Sequence, residues 1–382
     1  MIRLLLMGAR RTGASITLVH AALRRHLNVT IISSEQDGLT GVFPDGAELV
    51  SVNIDDPDFI PTLLASYCHQ TLLVTTTSEP WAYRSARIAA LVGCPGPDAD
   101  VVERCMSKSW QKAWLMQHAI PCAKGRTISL TGLENGIDGM LFPVIIKPDK
   151  STASFGVRYC ASRDEALQHI ATLKQDLLTG KITGLTDKAV VETFIEGDEY
   201  CVEFFDGCFV GAMRKLKRYG CEFYERGYTS ELDLCEHDVA AMVECCRRAV
   251  DACCLTWGPV HIDCIVREHQ CFIVELNPRM PGSFISDIIR DCYGFDMTEA
   301  LLDKLMGREV TLPSQHVPCR YARAEFLLTS DPPEWQFSSE GRLSDGVIEV
   351  RYGPQNLPHR QRRAFIYLCM ATEGENHEKH AD

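Results

Sequence analysis

Between His261 and Ser283 the chain reads HIDCIVREHQCFIVELNPRMPGS, two apolar, alternating runs joined by the polar turn Arg267-Glu268-His269-Gln270. Period-two alternation interrupted by a short polar turn predicts an antiparallel hairpin. Strand side chains alternate between faces, so Asp263 and Glu275 can share one face, and Asn277, two residues beyond Glu275, lies on it too. Cys264, Ile265, Ile273, Val274 and Leu276 surround the acids with apolar side chains. An unpaired charge is costly there, so a solvated surface hairpin is the weaker reading. Two carboxylates and an amide on rigid strands make a hard oxygen site, of the kind Mg²⁺ uses while it holds nucleotide phosphates. Arg279 follows at once, with a planar fork suited to phosphate or carboxylate.

A second constellation lies upstream. The run Pro143-Val-Ile-Ile-Lys147-Pro148 sets a lysine at the end of an apolar strand, where a point charge on a long stem can reach a bound anion. The polar run Asp149 to Val157 follows, with small residues and one glycine. Small residues let backbone N–H groups approach phosphate oxygens, which makes Ser151, Ser154 and Gly156 candidates for that contact.

Composition narrows the class. A chain of 382 residues is too long for one small core and predicts two or three domains. A net charge of −12 argues against a general nucleic-acid binder. No apolar run is long enough to cross a bilayer, and MIRLLLMGARRTG reads as a first strand and turn rather than a signal peptide. The expectation is a cytoplasmic protein with no membrane partner. The 18 cysteines are scattered, with no Cys-x-x-Cys pair, and read as reduced, small apolar residues. The adjacent pairs Cys245-Cys246 and Cys253-Cys254 are poorly arranged for one structural zinc.

Along the chain, the runs at Ile2–Met7, Val29–Ile32 and Leu72–Thr76, alternating with helical segments at Ala14–Leu27 and Pro80–Val92, predict a small parallel α/β unit. Gly8 and Gly13 lack dinucleotide or P-loop spacing and read as turn glycines. Gly93-Cys94-Pro95-Gly96-Pro97 is a strong break. Asp100–His118 reads as one helix. Ser162, with Glu165 three residues on, forms a capping-box pattern. Val190–Ile195 and Tyr200–Phe205 read as strands, Val239–Cys254 as an amphipathic helix, and Tyr321–Leu328 and Val347–Tyr352 as strands. The basic run Arg214, Lys215, Lys217 and Arg218 reads as a loop near a cleft, since it lacks the interleaved aromatics of a nucleic-acid surface.

Glu275-Leu276-Asn277-Pro278-Arg279, with Asp263 on the preceding strand, resembles the metal-binding signature of the ATP-grasp superfamily. The nearest branch holds biotin carboxylase, carbamoyl-phosphate synthase and the amino-acid (dipeptide, carnosine-type) ligases. The resemblance implies that Asp263 and Glu275 bridge Mg²⁺ ions, or Mn²⁺ in their place, to the phosphates of ATP, with Asn277 as a further ligand. Many members carry Glu where this chain has Asp263. It further implies that Lys108 and Lys147 are the two phosphate-binding lysines, and that the loop after Lys147 closes over the β- and γ-phosphates. The run Val190 to Tyr200 resembles the adenine hinge, which would set the backbone of Thr193 and Ile195 on the adenine edge. Glu192 would then lie near the amino group and Glu199 on the ribose hydroxyls. Phe223 to Tyr228 resembles the stretch before the substrate loop of amino-acid ligases, where Glu225 meets a substrate amine or makes a surface salt bridge. His261 reads as a satisfied strand histidine, with an outer-shell role at the metal acid as the alternative.

The implied fold is α/β, ATP-grasp, in three parts. Residues 1–97 would form a Rossmann-like parallel domain, 98–190 a small central subdomain with the phosphate loop, 191–372 an α+β subdomain with hinge and metal site, and 373–382 a disordered tail. The implied activity is an ATP-dependent carboxylate–amine ligase working through an acyl phosphate, with Arg279 and Lys147 as catalytic residues and a small acid and an amine as substrates. A bicarbonate- or formate-activating enzyme and a non-catalytic nucleotide-binding protein are the alternatives. A homodimer is common in such proteins.

Overall fold

A computed structural model describes residues 1–11, 13–34, 38–54, 56, 58–132, 136–152, 154–180, 185–217, 223, 225–313, 317–328, 347–357 and 362–371. Arg218, Tyr224 and the predicted tail at 373–382 lie outside the described residues.

The first part of the chain runs β1 (Ile2–Met7), α1 (Ala14–Arg24), β2 (Asn28–Ser33), β3 (Ala47–Ser51), α2 (Phe59–Ser66), β4 (Thr71–Thr75) and α3 (Ala82–Leu91). Its strands pair in parallel in the order β3-β2-β1-β4, as expected where helical segments separate short apolar runs. Two glycines shape its inner edge. Gly8 has φ +64°, and an added Cβ would lie 2.0 Å from the Trp81 ring. Gly13, at φ +68°, would place one 1.9 Å from the carbonyl oxygen of Ser283. These are turn and contact glycines, each filled by the chain's own atoms.

The next elements are α4 (Ala99–Cys105), α5 (Lys108–Gln117), β5 (Gly125–Ser129), β6 (Val144–Pro148), β7 (Arg158–Cys160), α6 (Arg163–Leu178) and β8 (Lys188–Thr193). The helix expected over Asp100–His118 is thus two helices. Ser107 breaks it, because its extended backbone and side chain start a new one: its Oγ accepts the N–H of Trp110. Ser162 does cap α6, accepting from the Glu165 N–H, while the Glu165 carboxylate reaches one residue further back, to the N–H of Ala161 at 2.9 Å. Strands β5-β8-β6-β7 form a small antiparallel sheet whose own core includes Val144, Ile146, Ile170, Leu173 and Val191.

The remaining elements are β9 (Asp198–Phe205), β10 (Cys208–Lys217), β11 (Glu225–Thr229), α7 (Glu236–Ala252), β12 (Pro259–Arg267), β13 (Gln270–Asn277), α8 (Ile285–Tyr293), α9 (Met297–Leu305), β14 (Arg320–Leu328), β15 (Val347–Leu357) and β16 (Arg362–Ala371). They make a large antiparallel sheet in the order β13-β12-β9-β10-β11-β14-β16-β15. The basic run from Arg214 to Lys217 therefore lies on β10, not in a loop. One face of this sheet shares a continuous core with the first sheet, through Cys201, Phe205, Met213, Met280 and Ile288. The other face packs on α5 and α7 through Tyr200, Val202, Phe204, Ile262 and Leu276. No disulfide joins the described cysteines. Cys246 of α7 meets Cys264 and Cys271 within that second core, where thiols pack as small apolar groups. No helix among the described residues is long and apolar enough to cross a membrane.

Candidate active site

The predicted hairpin is β12–β13. Glu268 and His269 take φ of +48° and +64°, the pair of left-handed residues that a two-residue hairpin turn needs. The register places Asp263 directly opposite Glu275 and His261 opposite Asn277. Cross-strand partners share a face, so all four project from the same side of the sheet. Asn277 is buried, and the two acids are partly open.

Each acid meets a lysine. Lys108, the first residue of α5, holds Glu275 Oε1 at 2.7 Å and donates to the Ser151 carbonyl at 2.6 Å. Burial works against its charge, but Glu275, Glu79 and Asp149 outweigh it and hold its pKa above the ordinary lysine value. Lys215 of β10 reaches Asp263 Oδ1 at 2.7 Å and Glu199 Oε1 at 2.8 Å, with Glu225 at 3.9 Å. Burial alone would lower it, yet the acids push its pKa well up. Asp263 is held well below the usual carboxylate range: burial opposes its charge, and Lys215 and His261 overcome that. The sequence reading placed Lys215 near the cleft but in a loop, so its strand position and its pairing with Asp263 were not foreseen. Lys215 and Lys217 alternating about apolar Leu216 were the available strand signal.

Lys147 leaves the end of β6 and contacts the Glu192 carboxylate. Lys112 of α5 meets the other oxygen of Glu192 at 2.6 Å. The Glu192 side chain is thus committed to two lysines, and Lys112 was not foreseen. Thr193 donates its N–H to the Lys124 carbonyl at 2.8 Å, so that donor is already used by the protein. Ile195 follows, half-buried, just beyond the end of β8. Glu199 stands on β9, on the far side of that hinge, paired with Lys215.

The loop after Lys147 is tied down at its start. Asp149, buried, accepts the Ser109 N–H at 2.8 Å and the Ser107 hydroxyl at 2.9 Å. This fixes the loop to the first turn of α5 and so sets Lys108 beside it. Asp149 was a further unforeseen residue. Ser151 donates its hydroxyl to the Pro148 carbonyl at 3.2 Å. Ser154 and Gly156 have φ of +57° and +69°, and the His169 ring lies 2.9 Å from the Gly156 carbonyl.

Arg279 stands just beyond β13 and pairs with Glu79 Oε2 at 3.0 Å, while its other amino group donates to the Met280 carbonyl at 3.0 Å. Glu79 belongs to the short turn before α3, so the part of the chain that carries the parallel sheet also reaches this site. Burial would raise the Glu79 pKa, but Arg279 and Lys108 hold it below the ordinary value. Arg279 Nε is buried with no hydrogen-bond partner.

The structure therefore gathers Lys108, Ser151, Asp263, Glu275, Asn277 and Arg279 in one cleft, with Glu199 joined to it through Lys215. The Lys147–Glu192 pair sits on the small sheet and is joined by Lys112 to α5, the helix that carries Lys108. Oxygen donors from two strands, ringed by lysines, fit a divalent cation that carries phosphate oxygens.

Residues 140–287 match the family model described as the ATP-grasp domain. Carnosine synthase 1 of Homo sapiens is 24% identical over 209 residues, covering 52% of this chain and 25% of that protein. A protein of Sinorhizobium fredii, uncharacterized protein y4rH, is 24% identical over 255 residues, covering 66% of this chain and 52% of that protein. The chain thus spans about half, or less, of the length of these curated relatives. The crystal structure of L-amino acid ligase from Bacillus licheniformis superposes with a TM-score of 0.79 at 19% identity, covering 99% of this chain and 96% of that one. The sequence match and the shared fold agree with the geometry of the cleft: this chain carries an ATP-grasp domain and has the ATP-grasp fold.

Proposed function

We propose that the protein is an ATP-dependent ligase that joins a small carboxylic acid, such as an amino acid, to an amine. The observation that carries this reading is the meeting of Asp263 with Lys215 and of Glu275 with Lys108, beside Asn277 on one face of the large sheet, with Arg279 and its partner Glu79 just beyond. The names of carnosine synthase and L-amino acid ligase among the similar proteins support it.

On this reading Asp263, Glu275 and Asn277 hold Mg²⁺, which supplies charge neutralisation at the phosphates when bound. Lys108 and Lys147 face the phosphates, and Lys108 in doing so lets go of Glu275. Lys112 keeps Glu192 neutralised when Lys147 turns to the nucleotide. The backbone of the hinge at Thr193 and Ile195 lies along the base, with Ile195 as the donor, and Glu199 receives the ribose hydroxyls. The loop at Ser151, Ser154 and Gly156 covers the terminal phosphates. The substrate carboxylate attacks the γ-phosphorus, ADP leaves, and an acyl phosphate forms. The amine then attacks the acyl carbon and phosphate departs, giving an amide. Arg279 holds the acyl phosphate or the substrate carboxylate, exchanging Glu79 for it. The chain's contribution is positioning and charge complementarity.

The experiment is phosphate release from ATP and Mg²⁺ across a matrix of amino acids and small dicarboxylic acids, followed by mass spectrometry of positive pairs. Release that needs both an acid and an amine, with a new amide mass, is the expected result. Release with bicarbonate or formate alone would replace this reading with a carboxylating one, and nucleotide binding without release on any pair would count against catalysis.

A further inference from the structure

The sheet face that carries the metal acids also holds a thiol, an imidazole and a second carboxylate that the reaction above leaves unused. Strands β9 and β12 pair Cys201 with Asp263 and Glu203 with His261. Alternation puts all four on that face. Glu203 is fully buried, and its Oε1 lies 2.6 Å from His261 Nδ1. With Nδ1 engaged, Nε2 is turned to Asp263, 3.4 Å from Oδ1. The Cys201 thiol donates to the same oxygen at 3.5 Å. One ligand atom each from Cys201, His261 and Asp263 lie within 4.8 Å of one another.

We propose that Cys201, His261 and Asp263 form a transition-metal site for Zn²⁺ or Co²⁺, sharing Asp263 with the oxygen site but different from it in donor chemistry. The donors are one sulfur, one nitrogen and one oxygen, a borderline-soft set that favours Zn²⁺ and Co²⁺ over Mg²⁺. Glu203 supplies what a metal-bound histidine needs behind it, a carboxylate on the other ring nitrogen that fixes tautomer and orientation. The charges also pair. On binding, the Cys201 thiol proton leaves to solvent, so that the thiolate and the Asp263 carboxylate offset the two charges of the ion, and the Glu203 carboxylate stays hydrogen-bonded to the imidazole. Pairing of charge with opposite charge is what a buried position requires. Three protein ligands leave a fourth tetrahedral position open.

Lys215 sets the competition. Its ammonium, 2.7 Å from Asp263 Oδ1, is the cation that a metal ion displaces there, and it keeps Glu199 at 2.8 Å when that happens. A Zn²⁺ ion at this site takes Asp263 away from the phosphate-binding metal. Zinc is therefore an inhibitor of the proposed ligase, a consequence that rests on that reading, whereas the binding itself does not.

The test is titration of Co²⁺ into the full-length, metal-free protein, followed by absorption spectroscopy. The expected result is one equivalent bound, with a thiolate-to-cobalt charge-transfer band and the intense d–d bands of a four-coordinate ion, persisting in excess Mg²⁺. Cys201→Ala should abolish the charge-transfer band, with Cys201→Ser as the variant closer in volume should the first not fold. Glu203→Gln should weaken binding about 10- to 100-fold. Lys215→Met should tighten it, and Glu275→Gln should leave the band in place. Absence of the charge-transfer band in the wild-type protein, or its survival in either folded Cys201 variant, overturns the proposal whatever the outcome of the ligase assays.

Discussion

Arg279 and Glu79 meet at 3.0 Å across the boundary between the large sheet and the first, parallel sheet. Their side chains are 15% and 12% exposed, so this is a partly desolvated ion pair in a cleft rather than a surface contact. If Arg279 stabilises the transferring acyl phosphate, Arg279→Met should lower kcat for ATP-dependent phosphate release by roughly 10²- to 10³-fold. Circular dichroism should be unchanged. A variant that keeps full turnover would remove Arg279 from the chemistry.

Lys215 is the buried cation of the site, with Asp263 and Glu199 within 2.8 Å. Lys215→Met leaves two carboxylates without it, and breaking buried pairs in this way costs about 3–5 kcal/mol. Urea denaturation should show that loss. Adding a divalent cation should restore stability to the variant more than it adds to the wild type, because Asp263 then recovers a positive partner.

Glu192 gives a pH signature. Burial would raise its pKa, but Lys147 and Lys112 together hold it below the ordinary value of 4.5. A carboxyl depressed in the folded state stabilises fully above the unfolded pKa, and that stabilisation is lost as pH falls through the folded value. Glu192→Gln should therefore flatten the dependence of the urea midpoint on pH below about 4.5. An unchanged acid limb would show that the pair contributes nothing to acid stability.

Gly156 closes the loop after Lys147 with φ +69°, and an added Cβ would lie 2.8 Å from the Pro148 ring. The left-handed backbone alone makes Gly156→Ala unfavourable by about 1–2 kcal/mol. On the proposed reading, the steady-state expectation is a raised KM for ATP with a smaller change in kcat, since the substitution moves the loop assigned to the phosphates and leaves Asp263 and Glu275 alone. A change confined to kcat would place the loop's role elsewhere.

The hairpin was readable in the sequence because its information is local. Alternation, a polar turn and the positions of Asp263, Glu275 and Asn277 fix a shared face without knowledge of any other strand. Lys147 was also visible, by its position at the end of an apolar strand, whereas Lys108, placed within one continuous helix, stood out only through the family resemblance. What was hidden depends on partners far away in the chain. Glu79 is charged like many surface residues, and only its approach to Arg279 brings it into the cleft. Lys112 reads as an ordinary helix lysine until β8 sets Glu192 2.6 Å away. The Cys201–Asp263 and Glu203–His261 pairs need the register of β9 against β12, which no periodicity within either strand specifies. Lys215 was misread for the opposite reason: a cluster of charges imitates a loop when the acids that neutralise it lie on other strands.

The close approach of Gly13 to the Ser283 carbonyl, where even a methyl group would not fit, has a mechanical consequence. The first sheet is keyed into the chain just past the metal hairpin, and the two share one core. The small sheet, by contrast, carries a core of its own and bears Lys147 and the loop that follows it. Of the two smaller sheets, one is bolted to the large one through a shared core and the other is hung beside it. On the proposed reading, the hung sheet is the part free to swing as a nucleotide enters and its product leaves, and Asp149, gripping the start of α5, is one of the ties that limit its stroke.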